Sequence, residues 1–387
     1  MPDDDFREYL RLPGPARFVR AVAADTVAGK SVVVVFPDAA VRSGLADAVL
    51  LDLEAEIPRA AFCAETAAPF PSRVLSTFGA DPVADRHYEE WDTVARWEPW
   101  HGMCVLLPGW AHADVGTVVD RWPAQVIACG LPERQRPKLL VGVSLAELSR
   151  SALDRVDRLT TTVRWWWGVV DRLDTETHLA ATSGTAELGP VAAAVIAELA
   201  AWDLSCIDFL VDDWDRTTAG LANSLARFRC NGRTASGNGA PEPTLDRRVR
   251  STAVPPADVE DGWRSGRVNR WGHTVRRAPA DLGQAEIDQR VWLAHNRTLI
   301  PHVDDERAYF EKAIRGRIGA AGLVDVIDSA EVIEIGTLRW LVDQGRVDLG
   351  RSQRARLQTF SRLRNKLAHR VPVDDDLLRQ VARYLDF

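Results

Sequence analysis

The residues best suited to chemistry lie near the C-terminal end of the sequence, where residues 362–370 read Arg-Leu-Arg-Asn-Lys-Leu-Ala-His-Arg. A histidine titrates near neutral pH and can move the proton of a ribose 2′-hydroxyl or of a leaving oxygen. A fixed guanidinium can hold a phosphate and offset the charge that develops in the transition state. An asparagine can orient either partner by hydrogen bonding. Together these side chains suit cleavage of a phosphodiester without a metal ion.

Residues 353–370 are predicted to form a helix that presents part of this set on one face. Its apolar stripe comprises Leu357, Phe360, Leu363 and Leu367. Asn365 and His369 lie four residues apart, so they share a face that points away from the stripe. Arg364 lies on the flank, about 140° around the helix from His369. Two helices at a symmetric dimer interface would bring an arginine and a histidine together more easily than one helix does.

Cationic side chains surround this set and predict contact with a phosphate backbone. The residues that we expect to bind nucleic acid are Arg356, Arg362, Lys366 and Arg370. A local positive potential can hold RNA although the whole chain has a formal net charge of −7. A simpler interpretation also fits, because the helix dipole alone favours cations near a helix C-terminus.

Residues 364–369, Arg-Asn-Lys-Leu-Ala-His, resemble the motif of HEPN-type ribonuclease domains. That motif has an arginine, a short spacer and a histidine, often with a polar residue directly after the arginine, on a late helix of a helical bundle. The resemblance covers residues 286–387 and implies a dimeric, metal-independent RNA endonuclease of toxin or antiviral-defence type. It implies that Arg364 and His369 are catalytic and that Asn365 assists them. Some members of the family are not catalytic, so whether the chain is an enzyme stays open.

The arginine–histidine spacing alone is a weak signal, because it also occurs elsewhere in this chain. Arg290 precedes His295, and Arg297 precedes His302, by the same five positions. In these two copies the second position holds valine or threonine, so the asparagine and the helical setting distinguish the copy at residues 364–369. The alternative function is a non-catalytic scaffold or regulatory subunit of a multi-component defence assembly.

The elements upstream of the motif are predicted to include a parallel sheet covered by helices. Continuous apolar runs that end in turn residues predict buried strands at residues 31–36, 103–107, 124–129 and 139–143. Helical stretches separate these runs, so residues 1–150 are predicted to form an α/β domain. A helix is also predicted at residues 145–159.

The N-terminal part resembles a degenerate P-loop-like α/β domain. Residues 28–31, Ala-Gly-Lys-Ser, match the end of a phosphate-binding loop, but they precede the first strand instead of following it. The segment that follows the strand, residues 37–44, carries neither the glycine pattern nor the lysine of such a loop. We therefore expect no ATP hydrolysis and no cofactor. A ligand crevice at the strand ends would contain Asp38 and Arg42 and could hold a regulatory ligand.

The rest of the chain is predicted to be mainly helical. Residues 151–285 form a mostly helical middle region with an irregular linker at residues 229–262, where glycine and proline are frequent. Within it, residues 263–273 interleave arginines with tryptophans, which suits either RNA contact or, as we favour, a loop anchored by buried indoles. Residues 286–387 are predicted to form a C-terminal all-α bundle, with helices at 286–300, 304–318, 328–344, 353–370 and 374–386.

Composition limits the remaining possibilities. The five cysteines include no Cys-x-x-Cys pair, and no recognised spacing supports a metal site at His295, His302 and Asp304. No apolar run is long enough to span a bilayer, and the acidic start of the chain argues against a signal peptide. We therefore expect a cytoplasmic protein without metal or membrane contact. Its expected partners are RNA and a second copy of the chain, bound through the C-terminal domain, and, for the alternative function, a partner protein in a defence complex.

Overall fold

The computed structural model describes residues 3–182, 184, 188–230, 253–318 and 332–385. The chain separates into two compact units. The first comprises Met1–Thr177 and Ala235–Ala278, and the second comprises His178–Thr234 and Pro279–Phe387. The residues of the predicted middle region are thus divided between both units. Most of the predicted irregular linker lies outside the described residues.

The first unit alternates helices with strands over most of its length. Its elements are α1 (Asp3–Leu10), α2 (Pro13–Val27), β1 (Ser31–Val35), α3 (Asp38–Ser43), α4 (Leu45–Glu56), β2 (Ala60–Phe62), α5 (Phe70–Thr77), α6 (Trp91–Val94), β3 (Cys104–Pro108), α7 (Val115–Ala128), β4 (Lys138–Val143), α8 (Arg150–Arg155), β5 (Thr161–Trp165), α13 (Glu260–Arg264), β6 (Val268–Trp271) and β7 (Thr274–Arg277). The chain passes from the first unit to the second within α9 (Arg172–Ala181).

Among the described residues, strands β1 to β5 form one parallel sheet in the order β2-β3-β4-β1-β5. Val33 of β1 pairs with Val141 of β4 on one side and with Val163 of β5 on the other. The β-branched run of β1 therefore lies inside the sheet, where both faces are covered. The prediction of an α/β N-terminal region with a parallel sheet is confirmed.

Helices cover both faces of the sheet because alternate strand residues face opposite ways. Val32 and Val34 pack in a core with α2 and α4, whereas Val33 and Val35 pack in a second core with α5 and α7. The connection after β1 therefore runs on one face and the connection after β4 on the other. Because these two connections lie on opposite faces of the sheet, a crevice is expected between the carboxyl ends of the neighbouring strands β1 and β4.

One predicted strand is wrong. Residues 124–128 belong to helix α7 and Cys129 caps its end, so the next strand is β4. The buried side chains of α7 recur at helical spacing, at Val115, Val118, Val119, Trp122 and Val126. A short apolar run does not show whether its periodicity is that of a strand or that of a helix. The residues that precede the run must therefore be used to distinguish the two structures.

The prediction of a helix over residues 145–159 is also wrong, since only α8 is helical there. The chain then forms β5, which no apolar run predicts. This strand contains Arg164 and Trp165, and Asp25 accepts a 2.8 Å hydrogen bond from the Arg164 Nε. The tryptophan-rich run therefore begins at the last residue of this edge strand.

Residues 260–277, the α13–β7 segment, return to the first unit and pack beside β5. Helix α13 is followed by the antiparallel hairpin of β6 and β7. The buried Trp263 indole donates a 3.2 Å hydrogen bond to the Trp166 carbonyl, and its ring lies 5.4 Å from that of Trp165. Asn269 accepts from the Gly168 amide at 3.0 Å. These contacts give the tryptophans of the segment a structural role.

The second unit is helical in all its described elements. They are α10 (Pro190–Ala200), α11 (Leu204–Asp213), α12 (Leu221–Cys230), α14 (Gln284–Ile318), α15 (Ile335–Asp343), α16 (Arg351–Ala368) and α17 (Asp375–Ala382). Helices α14 to α17 share one apolar core, to which Phe310, Leu338, Phe360 and Leu377 contribute. The prediction of a helical C-terminal region is confirmed.

Helix α14 corrects the prediction of two helices at residues 286–300 and 304–318. It continues through Pro301, which removes one backbone hydrogen bond but does not end the helix. Leu299 and Val303 on either side of the proline are buried in the core, which holds the helix together there. Part of the predicted helix 328–344 lies outside the described residues. None of the described helices has the length and apolar character needed to cross a bilayer.

Candidate functional site

The motif of residues 364–369 lies at the C-terminal end of α16. Leu357, Phe360, Leu363 and Leu367 are all buried, so the predicted apolar stripe attaches the helix to the core. The helix ends where Arg370 adopts a left-handed conformation with φ of 56°. The Val371 amide then donates a 3.2 Å hydrogen bond to the Lys366 carbonyl, which closes the last turn.

Asn365 and His369 are exposed and neighbour each other on the helix surface. The His369 amide donates a 3.1 Å hydrogen bond to the Asn365 carbonyl, so the backbone keeps them one turn apart. Among the described residues, neither side chain has a hydrogen-bond partner within the chain. Both are therefore free to contact a bound molecule.

Arg364 is half-buried and points to a different neighbour. Its guanidinium lies 3.3 Å from a carboxylate oxygen of Glu334, which precedes α15. The side chains of Arg364 and Glu334 are 42 % and 64 % exposed, respectively. An ion pair at such a surface contributes about 0 to 1 kcal/mol, so a phosphate can replace Glu334 at low cost. Within one chain, however, α16 does not bring the guanidinium and the imidazole to a common point.

Three of the predicted nucleic-acid contacts surround the motif, each with a weak partner of its own. Arg362 donates a 3.3 Å hydrogen bond to Gln380. Lys366 lies 3.4 Å from Asp374, and both are exposed to a similar degree. The Arg370 guanidinium lies 5.7 Å from the ring centre of Trp292. Contacts of this kind are easily exchanged for a phosphate oxygen.

The fourth predicted contact, Arg356, is held differently. Its Nε donates a 2.6 Å hydrogen bond to Glu306, and its Nη2 bonds the second carboxylate oxygen. The Glu306 side chain is 8 % exposed, so removal of the arginine would leave a buried carboxylate without this partner. The hydrogen bonds to Glu306 raise the pKa of Arg356. This arginine therefore links α14 to α16 and is less available to RNA than the other three.

The crevice position at the end of β1 is occupied by the chain itself. Asp38 accepts a 3.1 Å hydrogen bond from Arg264 of α13. A Cβ at Gly266 would lie only 2.9 Å from the Cβ of Ala39, so the α13–β7 segment lies directly against the start of α3. Arg42 is exposed and takes no part in this contact. Asp38 thus lies just after β1, at the start of α3, where an arginine side chain of the same chain contacts it.

A buried polar cluster that the sequence did not suggest lies at the ends of β2 and β3. The Arg73 guanidinium is 1 % exposed and lies 2.8 Å from both Asp114 oxygens and from His112 Nδ1. Burial, followed by the nearby Arg73 charge, lowers the pKa of His112, and burial raises the pKa of the adjacent Cys63 thiol. A neutral imidazole and a protonated thiol inside the core indicate a structural cluster.

His295, His302 and Asp304 do not assemble into a metal site. The His295 ring is 1 % exposed and accepts a 3.0 Å hydrogen bond from the Val373 amide. Within the described ranges, no group of three or more histidine, cysteine, aspartate or glutamate side chains could hold a metal ion.

The arrangement on α16 therefore offers an exposed histidine and asparagine side by side, an exchangeable arginine on the flank, and three cations around them. No protein-family model matches the sequence, and neither a curated protein nor a solved structure matches it.

Proposed function

We propose that this protein is a metal-independent RNA endonuclease of toxin or antiviral-defence type, in which Arg364, Asn365 and His369 carry the chemistry. The observation that supports this most is the exposed pair of Asn365 and His369 at the end of α16, whose side chains have no partner among the described residues. Polar side chains that the fold itself does not use are available for a substrate.

In the proposed reaction, the His369 imidazole of one copy accepts the proton of a ribose 2′-hydroxyl. The 2′-oxygen attacks the adjacent phosphorus, the bond to the 5′-oxygen breaks, and an imidazolium returns a proton to that leaving oxygen. The products are a 2′,3′-cyclic phosphate and a 5′-hydroxyl. Arg364 offsets the charge on the phosphoryl oxygens, and Asn365 orients the imidazole by hydrogen bonding.

A second copy of the chain completes the proposed site. Arg364 and His369 diverge on a single helix, by about 140°. Two α16 helices related by a two-fold axis would place the arginine of each copy near the histidine of the other. Arg362, Lys366 and Arg370 would hold the RNA backbone on either side, and the binding would weaken with salt.

The central test is RNA cleavage by the full chain in the presence of EDTA. We expect cleavage to continue, to leave 2′,3′-cyclic phosphate ends, and to fall about 10²-fold or more in His369→Ala. His273→Ala removes another exposed histidine, from the β6–β7 turn, and is the matched control. Loss of cutting in EDTA, or undiminished cutting by His369→Ala, would refute the mechanism.

Mixing two inactive variants tests the second copy. If each site takes its arginine from one copy and its histidine from the other, Arg364→Ala and His369→Ala protomers exchanged into one dimer regain one intact site. If both groups came from the same copy, every site in the mixture would lack one of them. Activity that stays at the level of the separate variants, despite proven subunit exchange, therefore excludes a shared site.

The contact between Arg264 and Asp38 favours a second candidate, a non-catalytic scaffold or regulatory subunit of a multi-component defence assembly. A crevice filled by the chain's own arginine suits a P-loop-like domain that no longer hydrolyses a nucleotide. In this case the protein would co-purify with a stable partner and would not cut RNA at any dilution. Under the first candidate, the α/β unit would instead regulate the nuclease.

A further inference from the structure

The exposed side of α16 extends well beyond the motif. Arg351 begins the helix and His369 follows its last residue, so the two lie about five turns and about 27 Å apart. Because about five full turns separate them, both side chains point the same way. Exposed residues within about 40° of the line that joins them complete what we call the α16 face, and they are Ala355, Gln358, Arg362 and Asn365.

The charged side chains of α16 all have the same sign. The helix contains no acidic residue, and its first turn carries Arg351 and Arg354. A cation near a helix N-terminus is opposed by the helix dipole, so local helix stability does not account for these two arginines. The simpler interpretation of the cations at the other end of the helix therefore fails here. Exposed positive charge of this kind suits an anionic partner.

The cations of the α16 face are weakly held by the rest of the chain. Among the described residues, the Arg351 side chain has no hydrogen-bond or ion-pair partner. Arg354 lies 3.5 Å from Asp348, whose side chain is 97 % exposed, so this pair contributes about 0 to 1 kcal/mol. Arg362 donates to the uncharged side chain of Gln380. All three arginines can therefore accept a phosphate as a new partner.

The acidic side chains of the two helices that pack against α16 have partners of their own. Four ion pairs, with distances of 2.5 to 3.4 Å, engage carboxylates at or within α15 and α17, and these are Glu334 with Arg364, Asp343 with Arg339, Asp374 with Lys366 and Asp376 with Arg379. Asp375 accepts hydrogen bonds from Thr218. The positive charge of the α16 face is therefore not neutralised by these neighbours.

We propose that one strand of RNA lies along the α16 face, with its phosphates on Arg351, Arg354 and Arg362. The inference rests on the proposed function, since the strand would be cut where it passes His369. At the 3.4 Å rise of a stacked strand, about 27 Å corresponds to about eight nucleotides, and a more extended strand would need fewer. The face leads away from the motif in one direction, so these contacts lie on one side of the cleaved bond.

The geometry of the α16 face favours a single strand over a duplex. Its cations form one straight row, which matches one row of phosphates. The major groove of an A-form duplex is too deep and narrow for protein side chains to read, so a helix face has no groove to enter. In-line attack by the 2′-oxygen also needs a nucleotide whose backbone can rotate into alignment. We therefore expect a hairpin duplex to bind more weakly than an unpaired strand.

The test measures binding of a 12-nucleotide strand of 2′-O-methyl RNA, which cannot be cut, by fluorescence anisotropy with the full chain. Gln358→Glu places a carboxylate in the middle of the α16 face and should weaken binding about tenfold. Gln353→Glu is the matched control, because it makes the same change on the same helix about 140° away, where the amide donates to Tyr309.

Salt at physiological concentration screens charges beyond about 8 Å, so the control should weaken binding less than about twofold. Equal effects of Gln358→Glu and Gln353→Glu would overturn the proposal. The absence of binding to the 12-nucleotide strand, or binding of a hairpin duplex as tightly as that strand, would also overturn it.

A second pair of variants counts phosphate contacts. Arg351→Gln should reduce the slope of log affinity against log salt by about 0.7, the value for one contact to a single strand. Lys312→Gln is the matched control, since Lys312 is an exposed cation of α14. Its neighbours Phe310 and Ile314 are buried in the core shared with α16, so Lys312 lies on the far side of α14. An unchanged slope in Arg351→Gln, or an equal change in both variants, refutes the assignment.

Cleavage assays separate this inference from the proposed function. Arg351→Gln should raise the KM of a 12-nucleotide RNA and leave kcat unchanged, because a contact about 27 Å from the cut bond holds substrate and transition state equally. If the strand binds with the expected difference between Gln358→Glu and Gln353→Glu but is never cut, the α16 face is confirmed and the nuclease function fails. If RNA is cut but Gln358→Glu binds it as the wild type does, the nuclease function stands and this path for the strand is wrong.

Discussion

Helices α14 and α16 both carry an arginine followed five residues later by a histidine, in opposite environments. On α14, Arg290 is 4 % exposed and donates a 2.9 Å hydrogen bond to the Leu199 carbonyl, and His295 is buried. On α16, His369 is exposed and Arg364 is half-buried beside an exposed carboxylate. The same spacing therefore stabilises the fold in one helix and leaves its side chains accessible in the other.

The position of the apolar stripe accounts for the difference. His295 lies four residues from Val291 and from Leu299, which are both buried, so the histidine is part of the buried face. His369 lies four residues from the exposed Asn365 and so belongs to the opposite face of its helix. The spacing of two residues fixes only the angle between their side chains on the helix, whereas the position of the apolar stripe determines which side chain is exposed to solvent.

The largest stability difference that we expect lies between Arg290→Ala and Arg364→Ala. Loss of Arg290 leaves the Leu199 carbonyl without this donor and opens a cavity, so the free energy of unfolding should fall by about 4 kcal/mol. Loss of Arg364 removes only a surface ion pair and should cost less than about 1 kcal/mol. Urea unfolding of both variants measures the difference, and similar midpoints would contradict the comparison.

The buried histidine of α14 should make the stability of the protein depend on pH. Burial lowers the pKa of His295 from 6.5 to about 4, against a smaller opposing effect of Asp375. Between these values the unfolded chain binds a proton that the folded chain does not, so stability falls as the pH falls. The loss should total about 3 kcal/mol between pH 6.5 and pH 4.

A titration followed by NMR checks this directly through the carbon-bound protons of the His295 ring. The His295 resonance should stay constant from pH 8 down to about pH 5. His369→Ala is the control for unfolding curves, since it should leave the pH dependence that arises from His295 unchanged. A His295 resonance that titrates near the value of a free histidine would show that the ring is not buried in solution.

Sequence patterns predicted the inner strands of the sheet and missed its edges. Strands β1, β3 and β4 are buried on both faces and therefore appear as continuous apolar runs. The edge strands β2 and β5 are the ones that we did not predict. The first is only three residues long, and the second mixes threonine and arginine with its apolar residues. Edge strands have one unpaired side and need less apolar sequence.

The candidate site shows a similar limit. The α16 stripe and the shared face of Asn365 and His369 follow from local spacing, and both were predictable. The partners of the surrounding cations come from distant parts of the chain, as Glu306 does for Arg356 and Glu334 for Arg364. The burial of His295 likewise depends on residue 373. No local sequence pattern encodes such pairings. The sequence alone therefore could not show which arginines are held by a buried carboxylate and which can exchange their partner for a phosphate.

The smallest effect that we predict concerns Arg370, which ends α16 with a left-handed backbone. Glycine adopts this conformation without the steric cost of a side chain, so Arg370→Gly should stabilise the protein by about 0.5 kcal/mol even though the contact with Trp292 is lost. Arg370→Ala loses the same charge without relieving the backbone and is the matched control.

If Arg370 contacts RNA, both variants should reduce the salt dependence of RNA binding by about 0.7 of a logarithmic unit per tenfold change in salt. The two variants should therefore differ in their free energy of unfolding but not in their RNA binding. If Arg370→Gly were no more stable than Arg370→Ala, the backbone at the end of the helix would not be strained.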